Sequence, residues 1–312
     1  MTPRASWTLL ALAGLGGIAH ADESSRKAMD AAAETSISGR SHRGVVDDYQ
    51  ILPQDAELSA EMRFVMADGA AFGGERLKFS DLALFGLSGR VSVSKRLELS
   101  ANVDLLPKQP SYTEEKRWQS AGGGLRLEVD PHVALAIAGG GGHLLDHDGM
   151  WAHGSAALEW RKRVHEILSF DLAAGADRIG ISAPGSTSAA LTEIQASTSA
   201  TIRDPRGTVG GWAGISYAVP VDHSGIDPTT GFAIDPQPRL GFRVGGVLSL
   251  VQEWDLYVEY TIVDRGDLQN PATRLPILDG GFDQQQIVFG VTRHIEMRGS
   301  RHDDDYEIVG AR

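Results

Sequence analysis

Strict alternation of apolar and polar residues is the feature that most limits what this chain can fold into. Between residues 97 and 105, every odd-numbered residue is apolar and every even-numbered residue is polar. The same period of two recurs at residues 125–129, 168–175, 240–250 and 256–262. Because successive side chains of a β-strand point to opposite faces, this period predicts strands with one apolar face and one polar face. The expected fold class is all-β.

The length of the alternating segments separates two kinds of β protein. Strands of soluble domains average roughly five or six residues, whereas a tilted strand that crosses a membrane needs roughly nine to eleven. The segments here are about nine to twelve residues long, which matches the membrane-crossing class. About twelve strands are predicted, with ten or fourteen left open; they fall near residues 56–66, 80–94, 97–105, 119–129, 133–142, 151–160, 167–176, 191–202, 208–219, 239–249, 255–264 and 286–296.

Short and long connections alternate between these strands. Short polar turns are predicted at residues 94–96, 130–132, 161–166, 203–207 and 251–253. Longer segments rich in Gly, Pro and Asp are predicted at residues 106–118, 142–150, 177–190, 220–238 and 264–285. A transmembrane up-and-down barrel has tight turns at one end and longer loops at the other, and an even number of strands returns both termini to the same side. The pattern therefore predicts an antiparallel transmembrane β-barrel.

The first residues predict export. Arg4 precedes an apolar run over residues 9–18 and the small-x-small site Ala19-His20-Ala21. This order is typical of a secretory signal peptide, here residues 1–21, and the apolar run of about ten residues is too short for a permanent membrane helix. A buried N-terminal helix is the alternative.

The predicted domain organisation follows from these segments. Residues 22–55 are expected to form a flexible periplasmic arm, with a plug inside the barrel as the alternative. Residues 56–297 form the barrel, and residues 298–312 form a polar tail.

Composition excludes several classes of function. The chain has no Cys, so disulfides, lipoprotein processing and Cys-based catalysis are excluded. The formal net charge of −12 argues against a nucleic-acid partner, which requires a basic surface. No apolar run after the signal peptide is long enough for a transmembrane helix. The near-neutral mean hydropathy of −0.16 is compatible with a barrel in which only every second residue faces lipid.

Aromatic residues lie near both ends of the predicted strands. Trp118 and Trp151 adjoin long loops, while Trp160 and Trp254 adjoin short turns. These positions predict two girdles at the membrane interfaces, where amphipathic rings are enriched. Trp212 falls in the middle of a strand, in the polar phase, and does not fit a girdle.

In its export signal, dyad repeat, turn and loop alternation and aromatic ends, the chain resembles bacterial outer-membrane β-barrel proteins over residues 56–297. The resemblance implies insertion into outer-membrane lipid by the barrel-assembly machinery and a role at the cell surface. One feature departs from it. Such proteins commonly finish on a C-terminal aromatic residue, whereas the last predicted strand here, with Ile287, Phe289 and Val291, is followed by a charged tail.

Two soluble architectures compete with the membrane barrel. A secreted β-sandwich would also show alternating strands, although it rarely needs hairpins this long. A β-propeller would explain short turns that recur every 33 to 48 residues or so, but each blade requires four short strands rather than two long ones.

The polar phase of the strands identifies the candidate interior. It includes Glu61, Asp104 and Glu193. The residues predicted to line the lumen are Arg63, Arg90, Glu98, Arg126, Glu128, His153, Glu159, Asp171, Arg239, Arg243 and Glu259. Either they line a narrow path for small polar solutes, in which Arg239 and Arg243 favour anions, or they form salt bridges that fill a barrel without a pore.

The sequence contains no strong catalytic, cofactor or metal motif. It has no Gly-x-Ser-x-Gly nucleophile elbow, and Gly139-Gly140-Gly141-Gly142 lacks the Lys-Ser/Thr of a phosphate loop. His143, His147 and His153, with Asp146 and Asp148, are interpreted as a hydrated loop rather than a metal site. The chain is therefore predicted to be no enzyme and to bind no cofactor.

Three functions remain, in order of preference. The first is a channel or transport protein for small polar solutes. The second is a surface structural or binding barrel whose loops 220–238 and 264–285 contact a partner. The third is a barrel-embedded hydrolase that uses His153 or a lumen carboxylate.

Overall fold

Twelve antiparallel strands make up the structured part of the chain. The computed structural model describes residues 55–68, 78–94, 96–108, 117–144, 149–165, 167–182, 188–204, 208–226, 233, 235–251, 253–265 and 283–296. The strands are β1 (Asp55–Asp68), β2 (Leu82–Ser92), β3 (Leu97–Lys108), β4 (Trp118–Asp130), β5 (Val133–His143), β6 (Met150–His165), β7 (Leu168–Ser182), β8 (Ser188–Arg203), β9 (Val209–Gly225), β10 (Arg239–Val251), β11 (Trp254–Arg265) and β12 (Asp283–Glu296). The predicted signal peptide and tail lie outside the described residues, as does the predicted arm except for its last residue, Asp55, which begins β1.

The sheet closes on itself. Each strand pairs with the next along the chain, and β1 pairs with β12 over its whole length, from Asp55 opposite Glu296 to Asp68 opposite Asp283. Closure removes the unpaired edges that an open sheet would expose. The predicted fold, an up-and-down antiparallel barrel of twelve strands, is confirmed, and the sandwich and propeller alternatives are wrong. No helix within the described ranges is long and apolar enough to cross a membrane.

Side chains at the short turns accept hydrogen bonds from the turn backbone. The Asp130 carboxylate accepts from the amide of His132 at 3.1 Å, and Asp204 accepts from the amide of Val209 at 2.7 Å. The Ser94 hydroxyl accepts from two successive backbone amides. Such local bonds mimic a backbone turn and favour tight reversals. These bonds stabilise the short connections at the end of the barrel where β1 begins and β12 ends.

The barrel exposes apolar side chains on its outer face and buries polar side chains inside, which is the reverse of a soluble domain. Leu158 and Ile194 are 58% and 56% exposed, while Glu57 and Asp255 are 3% and 1% exposed. Every strand presents at least one large exposed apolar residue; one from each, in chain order, is Leu58, Leu87, Leu99, Leu125, Ile137, Leu158, Leu172, Ile194, Ile215, Phe242, Leu256 and Phe289. Soluble monomers rarely expose continuous apolar patches beyond a few hundred Å². The outer surface of this barrel is therefore suited to lipid.

Strands β6 to β9 are longer than predicted, at 16, 15, 16 and 17 residues, and β6 includes residues 161–165, which were predicted as part of a short turn. Much of the predicted loop 177–190 belongs to β7 and β8. Its alternation is inverted, because Ile179 and Ile181 are buried in the inner phase while Arg178 points outward. Beyond the apolar band the outside of a barrel meets water, so the rule of apolar residues outside no longer holds there. A prediction that requires apolar residues on the outer face therefore ends these strands too early.

Candidate functional site

The interior is built around glycines that let large side chains cross a neighbouring strand. The indole Nε1 of Trp212 on β9 donates to a carboxylate oxygen of Glu259 on β11 at 2.6 Å. The ring passes over Gly245 of β10, where a Cβ would lie 2.2 Å from a ring carbon. This placement explains Trp212, which the sequence could not assign to a girdle.

The same arrangement recurs around the barrel. It brings together side chains whose strands are not neighbours, so the glycine of the middle strand leaves the necessary space. The three further cases are Tyr257 crossing Gly290 to Glu61, Arg63 crossing Gly86 to Asp104, and Arg243 crossing Gly214 to Ser199.

A continuous chain of polar contacts follows the inner wall near the short turns. We call it the polar belt; in spatial order it consists of Arg203, Ser249, Asp255, His294, Glu57, Arg90, Glu98, Arg126 and Glu159. The longest of its contacts is the 3.4 Å between His294 and Asp255. Buried charges are tolerated when each is paired and hydrogen-bonded, as these are. The belt spans β8, β10 to β12, β1 to β4 and β6.

Beside the belt the interior is hollow. Two adjoining cavities of about 390 and 360 Å³ share Glu159, Ala173, Ser197 and Arg243 as lining residues, and together we call them the main cavity. Its walls are otherwise mostly small side chains; those of the larger part include Ala136, Ala138, Ser155, Ala157, Gly175, Gly214, Ser216 and Gly241. A separate cavity of about 240 Å³ lies against β1 to β3 and is lined by Glu57, Ser59, Ser88, Arg90, Ser100 and Asn102.

Arg243 is the cation that the main cavity leaves most accessible. The residue is exposed, and its guanidinium donates to the Ser199 hydroxyl at 3.2 Å. The other arginines of the main cavity, Arg126 and Arg161, form ion pairs with Glu159 and Asp171. The Ser199 hydroxyl is a neutral partner, so the positive charge of Arg243 can attract an anion in the cavity, where it competes with the Glu259 carboxylate of the same lining.

The residues predicted to line the lumen occupy the polar phase of their strands, and the structure pairs most of them. Arg63 contacts Asp104 and Glu61, and Arg239 contacts Glu193 at 3.4 Å. The remaining ones pair as Arg90 with Glu57 and Glu98, Arg126 with Glu98 and Glu159, His153 with Asp177, Asp171 with Arg161, and Glu259 with Trp212. Glu128 follows Arg126 by two residues on β4, nearer the short turn. Because Arg239 is paired with a carboxylate, the predicted attraction of anions falls to Arg243.

A fully buried ion pair near the longer loops was missed by the sequence analysis. Arg265 of β11 donates to both carboxylate oxygens of Glu193 on β8, at 2.7 and 2.9 Å, and neither side chain is exposed. Arg265 also donates to the backbone carbonyl of Gln237, at 3.2 Å. It therefore ties residues 235–238 to the inner wall. Arg265 lies at the boundary between a predicted strand and a predicted loop, where the alternation of apolar and polar residues ends and does not predict which face a side chain occupies.

Of the residues predicted to form the girdles, Trp254 is exposed beside a short turn as expected, whereas Trp151 is not on the outer face. Trp254 is 37% exposed beside a short turn, with the Arg293 guanidinium 5.4 Å from its ring. Trp118 contacts the His143 ring edge-on, with ring centroids 4.3 Å apart. Trp151, by contrast, is buried in an interior apolar cluster with Leu144, Ile179, Ile181, Ala189 and Leu191. The inverted alternation of the long strands turns it inward.

Among the described residues, Ser249, Asp255 and His294 of the polar belt are not arranged as a hydrolase triad. Ser249, Asp255 and His294 lie together, but the Ser249 hydroxyl donates to Asp255 and accepts from Arg203 rather than pairing with the imidazole. A nucleophilic serine requires a base within hydrogen-bond reach. His153 faces Asp177, at 3.6 Å. The described residues also contain no group of three or more metal-binding side chains, and Asp146, His147 and Asp148 lie outside them.

Comparison with known proteins finds similarity in structure alone. No family model matches the chain, and no curated protein matches its sequence. Among solved structures, an outer membrane channel from Pseudomonas putida F1 is 14% identical with a TM-score of 0.47, covering 80% of this chain and 98% of that chain. The NanC porin is 9% identical with a TM-score of 0.47, over 76% and 98% of the two chains. The CymD monoaromatic hydrocarbon channel is 10% identical with a TM-score of 0.41, over 78% and 88%. TM-scores below 0.5 do not decide what this barrel carries.

Proposed function

We propose that this chain is an outer-membrane channel that admits small polar solutes and favours anions. The observation that carries the proposal is the combination of an apolar outer surface with a hollow polar interior. An export signal at residues 1–21 would deliver the chain to the periplasm, and the barrel-assembly machinery would insert it into outer-membrane lipid.

The dimensions of the barrel suit a bilayer. A strand of 14 residues, such as β1, rises about 3.3 Å per residue and, at a tilt of about 40°, spans roughly 35 Å. The apolar band of outer-membrane barrels is about 25 Å tall, so the strands cross it and extend into both interfaces. Trp254 lies at the short-turn rim, where an amphipathic ring is favoured.

The main cavity supports passage of solutes rather than a solid interior. At about 30 Å³ per water molecule, its larger part of about 390 Å³ holds roughly a dozen waters. Small and hydroxyl-bearing side chains such as Ala157, Ser197 and Ser216 line it. A hydrated wall of this kind suits polar solutes, because none of their hydrogen-bonding groups has to be buried without a partner.

A structural or binding barrel without an open pore is the second candidate, and the polar belt favours it. The belt joins paired side chains around much of the wall near the short turns, and its Glu57 and Glu98 side chains are 3% and 4% exposed. If the belt closes the lumen there, the barrel is electrically silent.

Planar-bilayer recording of the refolded protein separates the two candidates. A channel shows steady single-channel steps, and under a salt gradient the reversal potential indicates preference for anions. We expect Arg243→Glu to lower the anion-to-cation permeability ratio several-fold, because it reverses the charge exposed in the main cavity. The matched control is Arg178→Glu, the same charge change on the outer surface, which should leave the ratio nearly unchanged. A folded, membrane-inserted protein that shows no conductance would exclude the channel.

A further inference from the structure

The lumen is filled unevenly around its circumference. On β11, β12 and β1, large side chains lie across the wall: Tyr257 reaches Glu61 at 2.6 Å, and Tyr257 and Val288 are buried with Trp212. Arg63 then extends the filled region to Asp104 of β3. These side chains occupy the volume that a solute on that side would need.

The opposite wall, from β5 to β10, is lined by small residues. Ala157, Ala173 and Ser197 lie on three successive strands, and Ala173 is shared by both parts of the main cavity. Large charged and aromatic side chains of this wall line the lower part of the cavity, and of these only Glu159 and Arg243 also border the larger part; the others are Arg161, Asp171 and Trp212. Side chains of one to three heavy atoms leave the widest gap between the wall and the barrel axis.

We propose that solutes cross the barrel off-centre, along the wall formed by β5 to β10, and that the small side chains of Ala157, Ala173 and Ser197 leave the space through which the solute passes. This inference rests on the proposed channel function. Any solute that follows this wall passes the guanidinium of Arg243, so the path carries a positive charge at that position. The competing path follows the smaller cavity, beside Ser88 and Ser100.

Four serine-to-cysteine variants test the path. Ser197→Cys and Ser216→Cys place a thiol in the main cavity, while Ser88→Cys and Ser100→Cys place one in the smaller cavity. The substitution exchanges one heavy atom and is the same at all four positions. Because the natural chain has no Cys, the unsubstituted protein is the control for the reagent. Single-channel conductance is recorded before and after addition of sulfonatoethyl methanethiosulfonate, and mass spectrometry measures the extent of modification.

Off-centre passage predicts that modification of Ser197→Cys or Ser216→Cys lowers conductance by about half or more, because the adduct fills the space that the small side chains leave for the solute. Fully modified Ser88→Cys and Ser100→Cys should keep most of their conductance. Equal block by all four adducts, or stronger block in the smaller cavity, would overturn the proposed path while leaving the channel function intact. A silent unsubstituted protein would instead overturn the channel function itself.

Discussion

At the scale of the residue, inward-facing glycine determines how the interior is packed. Gly245 and Gly290 each lie under an aromatic ring, and a Cβ at either position would come within 2.2 Å of the ring. Trp212 and Tyr257 can therefore lie along the wall and reach Glu259 and Glu61. Without these glycines the rings would have to turn into the lumen and abandon both hydrogen bonds. Each of these glycines, because it has no side chain, thus determines the position of a large aromatic ring.

Replacement of Gly245 tests this packing. Gly245→Ala should lower the free energy of unfolding by about 1–3 kcal/mol, because overpacking displaces the Trp212 ring. The measurement is urea unfolding in lipid vesicles, followed by tryptophan fluorescence. Gly246→Ala is the control one residue away, on the outer face, where the nearest atom would be 3.5 Å from the added Cβ. Equal effects of the two substitutions would show that the ring does not depend on Gly245.

At the scale of the strand, ion pairs join elements that share no backbone hydrogen bonds. Arg265 and Glu193 connect β11 with β8 across two intervening strands, and both side chains are fully buried. Two parallel hydrogen bonds between a guanidinium and a carboxylate fix direction as well as distance. This pair therefore orders the long-loop end of the barrel wall.

Loss of one partner should be costly because the other stays buried. Glu193→Gln removes the negative charge that faces Arg265 and should destabilise the barrel by about 3 kcal/mol or more. The comparison is Asp222→Asn, which breaks the exposed contact of Asp222 with Arg178 at 3.5 Å and should cost less than about 1 kcal/mol. Both are measured by equilibrium unfolding in vesicles. A cost for Glu193→Gln no greater than for Asp222→Asn would contradict the structural role given to the buried pair.

At the scale of the whole molecule, the barrel separates an apolar outside from a polar inside at every strand. Neighbouring residues of one strand meet different surroundings: Leu158 is 58% exposed on the outer face, while Ala157 lines the main cavity. The difference between these environments is as large as that between hydrocarbon and water. It favours the barrel in a membrane, because apolar side chains meet lipid and polar ones stay inside.

Substitution of arginine for Leu158 and for Ala157 measures the difference between the outer and the inner environment. Leu158→Arg should lower stability in vesicles by about 2–4 kcal/mol, since the charge faces lipid near the middle of β6. Ala157→Arg should leave insertion intact, as the guanidinium reaches hydrated lumen. The readout is the fraction of protein with heat-modifiable gel mobility after refolding into vesicles. Better insertion of Leu158→Arg than of Ala157→Arg would mean that the outer face does not meet lipid.

The sequence predicted the strands and their lipid-facing side well, and predicted the interior only as a set of residues. Its twelve strands agree with the structure to within a few residues over most of the barrel. The exceptions are the ends of β6 to β9, which extend at the short turn for β6 and at the long loops for β7 to β9, and Trp151, which lies inside instead of in a girdle. In both cases the prediction assumed that apolar residues face outward, which holds only at the depth of the membrane.

What the sequence by itself determined is the architecture, because alternation of period two is a local property that each strand carries within its own residues. Only the tertiary structure decided which interior side chains meet. Ser59 bonds to Thr292, 233 residues away, and Tyr257 bonds to Glu61, 196 residues away. Such partners depend on the closure of the ring and on the register between strands, which place residues of β1 beside those of β11 and β12. The main cavity has the same origin, since it lies where six strands happen to bring small residues to one side of the lumen.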